Sequence, residues 1–323
     1  MKKFDQPLVS IMALCHNHEK FVIDALNSVL NQTYKNIELF IIDDNSSDAS
    51  QSVIENWIKA NNVDCTFIKH EVNHSICYSY NEFLALAKGT FISSLSTDDL
   101  YELDKIEKQL EIFNAISDNY GVVYNDMLVI DGDNNVTQQS FYKWYLKGEH
   151  PKTGNMISEY IKLNPVHVLG ALIKREVYDK TGAYDPSLAF EDWDMGFRWA
   201  TVTDFYYHPH IVSRYRKFSG QMTDKYWNDE QKYLKVLETT FSMYYKHLGL
   251  KDYRSEILSK LVDIHHQFVF NKHASYSRQL EYCRKIFLAK FSFNYLFLLF
   301  FSLLGEAKLY FRVKNKIFKL ARA

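Results

Sequence analysis

Phe91-Ile-Ser-Ser-Leu-Ser-Thr-Asp-Asp-Leu100 decides how the rest of the chain is read. Phe91, Ile92 and Leu95 are apolar, Gly89 marks a turn ahead of them, and the run stops on two adjacent carboxylates, Asp98 and Asp99. This is the pattern of a short buried strand with an acidic tip. In an open α/β sheet, ligands bind beyond the carboxyl ends of the strands. Such a tip can hold a hard cation or a ribose hydroxyl. Mg²⁺ and Mn²⁺ prefer oxygen ligands, commonly one or two carboxylates together with substrate phosphates. The same residues also suit a plainer job, with Thr97 or Asp98 capping a helix that begins near Leu103. The flanking segments weigh between the two.

Upstream, strand and helix alternate. Residues 8–14 read as a first strand and 19–30 as an amphipathic helix with Phe21, Ala25, Leu26, Val29 and Leu30 on one face. A second strand over 37–42 stops at the turn-rich acidic run Asp43-Asp-Asn-Ser-Ser-Asp48 and leads into a helix over 49–60, with Ser47 or Asp48 as N-cap. A third strand over 65–70, a helix over 76–87 and the strand 91–95 complete the series. This spacing predicts right-handed βαβ units and a largely parallel sheet. Lys2-Lys3 ahead of the apolar run 8–14 looks faintly like a secretory leader. The run is short, no small-residue cleavage site follows it, and it reads better as a buried first strand.

Downstream the rhythm changes. A helix is predicted over 103–115, a strand over 122–130, a hairpin-type turn over 131–135, a short strand over 170–174 and a helix over 175–181. Residues 141–165 are aromatic and read as an irregular loop region shaping a pocket. Gly182-Ala-Tyr-Asp-Pro186 reads as a tight turn, and Glu191-Asp-Trp-Asp194 as an acidic cluster opening a helix, where carboxylates gain from the helix dipole. A capping role alone would account for Glu191 and Asp192. From residue 226 the pattern is helical, over 226–247, 253–270 and 276 to the end, so the expected domains are 1–222 and 223–323.

Composition sets few further limits. The chain has 323 residues, 47% of them hydrophobic, which suffices for a large core. A formal net charge of -1 gives no sign of nucleic-acid binding. Cys15, Cys65, Cys77 and Cys283 show no CxxC spacing and read as reduced thiols of a cytoplasmic protein.

Taken in order, these stretches resemble glycosyltransferase family 2 and its nucleotide-sugar-binding GT-A fold. The likeness covers about residues 7–220. Val9-Ser-Ile-Met-Ala-Leu-Cys-His-Asn17 is similar to the family's opening strand, which usually ends in Tyr-Asn. Ser28-Val-Leu-Asn-Gln-Thr-Tyr34 resembles its S-[IV]-L-x-Q-T-[YF] turn, and Ile41-Ile-Asp-Asp-Asn-Ser-Ser-Asp48 its DD-[GN]-S-x-D signature. Asn73 and Asn81 fall on a family Asn pair, and Ala87-Lys-Gly-Thr-Phe-Ile92 on A-x-G-[ED]-[YF]-I. Thr97-Asp-Asp99 matches the end of the D-x-D region, Gly182-Ala-Tyr-Asp185 resembles G-G-F-D, and Glu191-Asp-Trp-Asp194 matches E-D-x-D.

The resemblance implies an α/β fold of the GT-A, Rossmann-like kind, with a mostly parallel central sheet flanked by helices and a helical C-terminal extension. It implies an inverting glycosyltransferase that moves a sugar from a nucleotide donor, a UDP-sugar first, to a glycan or lipid-linked acceptor in cell-surface polysaccharide synthesis. Asp44 would accept from the uracil ring, with Leu14 and His16 lining the base pocket and Asn73 on the nucleoside. Asp98 and Asp99 would hold the ribose and a Mn²⁺ or Mg²⁺ ion on the diphosphate. Asp192 would be the catalytic base, with Glu191 the runner-up. Ser96 replaces the first Asp of D-x-D, Asn45 the usual Gly after the Asp pair, Ser75 a loop Gly, and Phe218 a downstream His that often binds the metal. Arg216 and Lys217 are the candidates to supply positive charge to the diphosphate in compensation. The changes at 96 and 218 also feed an alternative reading, a degenerate module that holds nucleotide-sugar without turnover.

The chain ends on an apolar run over 287–304, hydrophobic all round, followed by Lys308, Arg312, Lys314, Lys316, Lys319 and Arg322. A core helix and a membrane span are both conceivable readings of it. The favoured one is an interfacial anchor over 287–323, with apolar side chains in the acyl boundary and a basic tail on anionic lipid. The expected location is cytoplasmic, peripheral on the inner face of the cell membrane, near a lipid-linked acceptor.

Overall fold

The computed structural model describes residues 4–188, 190–219, 221, 229–271, 273–289 and 296. The chain divides into two compact units, 1–218 and 219–323. The sequence reading placed this boundary at 222/223.

In the first unit, β1 (Val9–Cys15) is flanked by β2 (Ile37–Asp43) and β4 (Phe91–Ser96), and β3 (Thr66–Lys69) lies outside β2, all parallel. β1 is buried along almost its whole length, as a near-continuous apolar run demands of a strand covered on both faces. The helices α1 (Val22–Leu30), α2 (Ser50–Asn61) and α3 (Ile76–Leu86) link these strands. α1 buries Val22, Ala25, Leu26 and Val29, a single helical stripe. Gly89 explains the turn into β4. A Cβ there would collide with Ser10, while its own N–H donates to Ser10 Oγ at 2.7 Å and to Glu38 Oε1 at 2.9 Å.

Beyond β4 the sheet becomes mixed. β6 (Tyr120–Ile130), β8 (Ala171–Lys174) and β9 (Asp204–Arg216) extend it in the order β4-β8-β6-β9, followed by β5 (Leu100–Tyr101), with β7 (Val136–Gln138) on β6. β8 runs antiparallel to both β4 and β6, and β9 runs parallel to β6. The fold is thus a mixed α/β sheet with flanking helices, parallel across the half that carries the strand tips read from sequence.

The structure departs from the sequence expectation in several places. Residues 141–165 are not irregular throughout: they hold α5 (Phe141–Tyr145) and α6 (Ile157–Lys162), anchored by buried Phe141, Tyr142, Tyr160 and Ile161. The thirteen-residue β9 is absent from the sequence reading, as is short β5. The remaining helices of this unit are α4 (Lys105–Ala115), α7 (Arg175–Thr181) and α8 (Asp192–Ala200).

The second unit holds α9 (Glu230–Lys246), α10 (Arg254–Phe270) and α11 (Tyr276–Ala289). They pack through Phe241, Phe268 and Tyr282, with Phe241 and Tyr282 stacked at 3.8 Å. Among the described residues, no helix is long and apolar enough to cross a membrane. Most of the proposed interfacial segment 287–323 lies outside the described residues.

Candidate active site

The tips of β1, β2, β3 and β4 are bonded edge to edge. Asp44 N–H donates to the Cys15 carbonyl, His70 N–H to the Asp43 carbonyl and Thr97 N–H to the Leu14 carbonyl, each at 2.9 Å. A loop following one strand is therefore fixed against the next. Asn17, in the left-handed region at φ 60°, accepts from Ser47 N–H at 2.7 Å through its side-chain oxygen. Asn45 adopts φ 59°, which Asn tolerates as Gly does, so its replacement of the usual glycine leaves the loop intact. Asp43 is wholly buried and accepts from Ser46 N–H at 2.9 Å and Gln51 Nε2 at 2.7 Å, a loop-building role.

Asp44 is the centre of one cluster. Its carbonyl faces His16 Nδ1 at 2.9 Å and accepts from Asn73 Nδ2 at 3.1 Å. Its carboxylate oxygen Oδ1 accepts from His74 N–H at 2.9 Å and lies 2.8 Å from His70 Nδ1. The structure thus brings together His16, Asp44 and Asn73, and Leu14 lies half-buried at the end of β1 beside them. His70 was not singled out from sequence. Its position as the first residue past the third strand, level with the Asp43-Asp44 tip, is the signal that could have found it.

A second cluster surrounds the β4 tip. Asp98 Oδ1 is buried with no hydrogen-bond partner among the described residues, and Oδ2 lies 3.9 Å from His18 Nε2. His18 Nδ1 in turn lies 2.9 Å from Thr97 Oγ1. Burial lowers the His18 pKa, against the pull of Asp98. Asp99 is placed differently: it is buried and accepts from Arg216 N–H at 2.7 Å. Burial, then the neighbouring Asp98, pushes its carboxyl well above the usual range.

Arg216 has no exposed surface. Its guanidinium donates to the carbonyls of Asp98 at 2.6 Å and Asp131 at 2.9 Å and to Asn134 Oδ1 at 2.7 Å, and it lies over the Phe21 ring. That placement makes it a strut between the β4 tip and the β6–β7 turn, away from the open diphosphate role expected for it. Phe218 packs on Phe21 at 5.1 Å and offers no ligand atom.

The residues at the β4 tip fit a divalent cation through Asp98. A buried carboxylate oxygen without a partner is what a metal or a ribose hydroxyl would satisfy. Asp99 is less suited, because one of its oxygens accepts from the Arg216 N–H and burial raises its carboxyl, which disfavours the charged form that a cation needs. Among the described residues, no group of three or more His, Cys, Asp or Glu side chains converges on one point. Substrate oxygens would have to complete such a site.

The third cluster opens α8. Asp192 Oδ2 accepts from Asn164 Nδ2 and Oδ1 from Trp193 N–H, both at 2.8 Å. Glu191 occupies the N-cap position but makes no side-chain cap bond, so capping does not explain it. Burial raises both carboxyls, Glu191 to about 8 with Asp192 adding to the shift. The two donors on Asp192 favour its charge, so of the two carboxyls it is Asp192 that ionises first. Asp194 turns away to Arg198 Nε at 2.9 Å.

α8 is seated on α6 at Gly196, where an added Cβ would collide with the Tyr160 ring. Trp193 Nε1 donates to the Tyr160 carbonyl at 3.0 Å, so Asn164, two residues past the end of α6, meets Asp192. Between the second and third clusters stands an aromatic group. Phe141 packs on Tyr145, His167 and Tyr215 at 5.2–5.3 Å. The charge of Asp98 reaches His167 and that of Asp192 reaches Tyr145. Burial holds His167 down to about 4, neutral under ordinary conditions. Asn164, His167 and Tyr145 were legible in the sequence only as parts of a pocket-shaping region.

This geometry can be set beside known proteins. The pattern of the family described as "Glycosyl transferase family 2" matches residues 10–182. An uncharacterised glycosyltransferase of Rickettsia typhi is 29% identical over 231 residues, 70% of this chain and 69% of that protein. Chondroitin synthase of Escherichia coli is 27% identical over 258 residues, 79% of this chain but 35% of the synthase. Among solved structures, S. aureus TarS residues 1–349 with UDP-GlcNAc has a TM-score of 0.66 at 15% identity, over 97% of this chain and 92% of that one. A Pyrobaculum calidifontis mannosyltransferase with GDP-Man and Mn²⁺ has a TM-score of 0.56 at 14% identity, over 97% and 84%. The likeness to these structures extends to the GT-A fold, and the match over more than half the chain gives the affiliation: the protein belongs to glycosyltransferase family 2.

Proposed function

We propose that this glycosyltransferase inverts the anomeric centre of a UDP-sugar as it transfers the sugar to a hydroxyl of a glycan or lipid-linked glycan. The observation that carries this reading is the separation of two unlike acidic sites by one aromatic group. Asp44 and Asp98, on strand tips, suit a nucleotide, and Asp192, on a helix start, suits an acceptor. His16 and Asn73 brace the Asp44 carbonyl, and Leu14 forms an apolar edge for the base.

Asp98 would hold a divalent cation together with the donor's phosphates, and the ion would neutralise charge on the leaving diphosphate. Asp192 takes the proton from the acceptor hydroxyl as that oxygen forms its bond to the anomeric carbon. The diphosphate departs from the opposite face with the bonding electron pair, so the configuration inverts. Asn164 and the Trp193 N–H keep Asp192 ionised for this step. Glu191 retains its proton near neutrality.

The two structural neighbours carry different nucleotides, so likeness of fold leaves the base open. The likeness to chondroitin synthase supports an acceptor in polysaccharide synthesis. A thermal-shift panel of UDP-, GDP- and dTDP-sugars with Mn²⁺ or Mg²⁺ tests the reading, because a ligand bound by the native state alone raises Tm. The expected result is a rise with UDP-sugars that EDTA reduces. No response to any member of the panel sinks the reading. The degenerate-module alternative draws on Ser96 and Phe218, and the engagement of Asp99 by Arg216 adds to it. Slow UDP release from donor in the absence of acceptor argues against it.

A further inference from the structure

We propose that His70 is a positioning residue that occupies one oxygen of Asp44 and so commits the base pocket to an imide ring, uracil or thymine, over guanine. The inference rests on the reading of Asp44 as the base-recognising carboxylate. It goes beyond that reading by assigning the selectivity to a residue that need not touch the base.

The argument begins with the neighbours of one imidazole. His70 is buried, with Nδ1 2.8 Å from Asp44 Oδ1 and Nε2 2.8 Å from Glu82 Oε2. Each ring nitrogen therefore faces a carboxylate oxygen, and an imidazole in that position donates on both sides. His74 and Tyr78 pack against the same ring, edge to face, at 5.1 and 5.4 Å. Burial alone would lower the His70 pKa, but the bonds to Glu82 and Asp44 outweigh it and raise the value.

The consequence falls on Asp44. Oδ1 receives two donors, His70 Nδ1 and the His74 N–H. Oδ2 takes no hydrogen bond among the described residues, and Asp44 is almost wholly buried, which limits its freedom to turn. A carboxylate with both oxygens open suits guanine, whose N1–H and exocyclic amine lie side by side. A carboxylate with one open oxygen suits a ring presenting a single N–H between two carbonyls. That is the edge of uracil and of thymine. Cytosine and adenine set a ring-nitrogen lone pair beside their amino group, which such an oxygen repels.

Calorimetry with UDP and GDP on the full-length protein in Mg²⁺ tests the proposal. The wild type is expected to prefer UDP. His70→Leu, which removes one of the two donors on Oδ1 and leaves only the His74 N–H there, is expected to narrow the UDP-to-GDP affinity ratio by about tenfold to a hundredfold, the range for one bidentate base contact. His70→Gln, whose amide can donate to the same oxygen, is expected to hold the ratio near the wild-type value. If His70→Leu fails to fold, Glu82→Gln loosens the far side of the imidazole and should narrow the ratio in the same direction. An unchanged ratio in the folded variant overturns the proposal. A wild type that prefers GDP overturns it too, while leaving the glycosyltransferase reading in place. Failure to bind either nucleotide overturns both.

Discussion

Glu191 and Asp192 are chain neighbours in the same half-buried patch, yet the surrounding donors treat them unequally. Asp192 receives the Asn164 amide and the Trp193 N–H, whereas Glu191 has burial and the charge of Asp192 against it. Removing a general base costs about 10²–10⁴-fold in rate, so Asp192→Asn is expected to lose turnover in that range with donor affinity unchanged by calorimetry. Near-normal turnover would pass the role to Glu191. The sign of the pH effect follows from the raised Asp192 pKa. Turnover should appear as pH rises through that value, placing the acid limb of kcat above the ordinary carboxylate range. Asn164→Ala withdraws a donor from the charged form and should move the limb to higher pH, a shift a purely structural asparagine would not produce. Asp192 was legible in the sequence because it sits in a local acidic motif. Asn164 was not, since its partner lies 28 residues away and an Asn ahead of a Pro reads as a turn.

The secondary elements repeat this contrast. Strands β1, β2 and β4 were legible as compact apolar runs, buried from both faces. β9 was not, because it is half-buried, mixes polar with aromatic side chains and contains Pro209, which argues against a strand. The structure resolves that conflict at a bulge. Asn125 pairs with His208 and Asp126 with Ile211, so Pro209 falls where the register shifts and no ladder bond is demanded of it. Short α5 and α6 carry too few turns to show a period. Their importance to the site appears at Gly196, the contact between α8 and α6. Gly196→Ala should drive Tyr160 and α6 outward, with an overpacking cost of about 1–3 kcal/mol. The expected outcome is a lower Tm and a fall in kcat per folded molecule, with UDP affinity retained. Loss of UDP binding in folded Gly196→Ala would mean that α6 and α8 support the donor side instead.

At the scale of the whole molecule, the family and the parallel half of the sheet were legible because their signals are local and recur in order along the chain. Arg216 shows the limit of such reading. A basic residue near an acidic tip looks like a phosphate partner, and its burial across three carbonyl- and amide-bearing neighbours depends on the assembled sheet. The second unit carries the remaining expectation, an interfacial anchor over 287–323. Six basic residues follow its apolar run, each worth about 1 kcal/mol near an anionic surface. Full-length protein is expected to float with anionic vesicles at low salt, and deletion of 287–323 should release it while sparing UDP binding. Full-length protein that stays in solution would remove the anchor.

The Asp98-Asp99 tip leads directly into β5, which is held by β9, a strand made more than a hundred residues later. On the ribosome this ordering becomes a delay. The partners of Asp44 lie within 30 residues of it, whereas the Asp99–Arg216 bond spans 117. At about 5–20 residues per second, the cluster around Asp44 has several seconds to close before the segment that fixes the acidic tip is synthesised. A nascent chain halted near residue 150 should therefore protect the Asp44 amide from hydrogen exchange while the Glu102 amide, whose acceptor is the Val212 carbonyl of β9, exchanges freely. Equal protection at both places would mean that the acidic tip is fixed without β9.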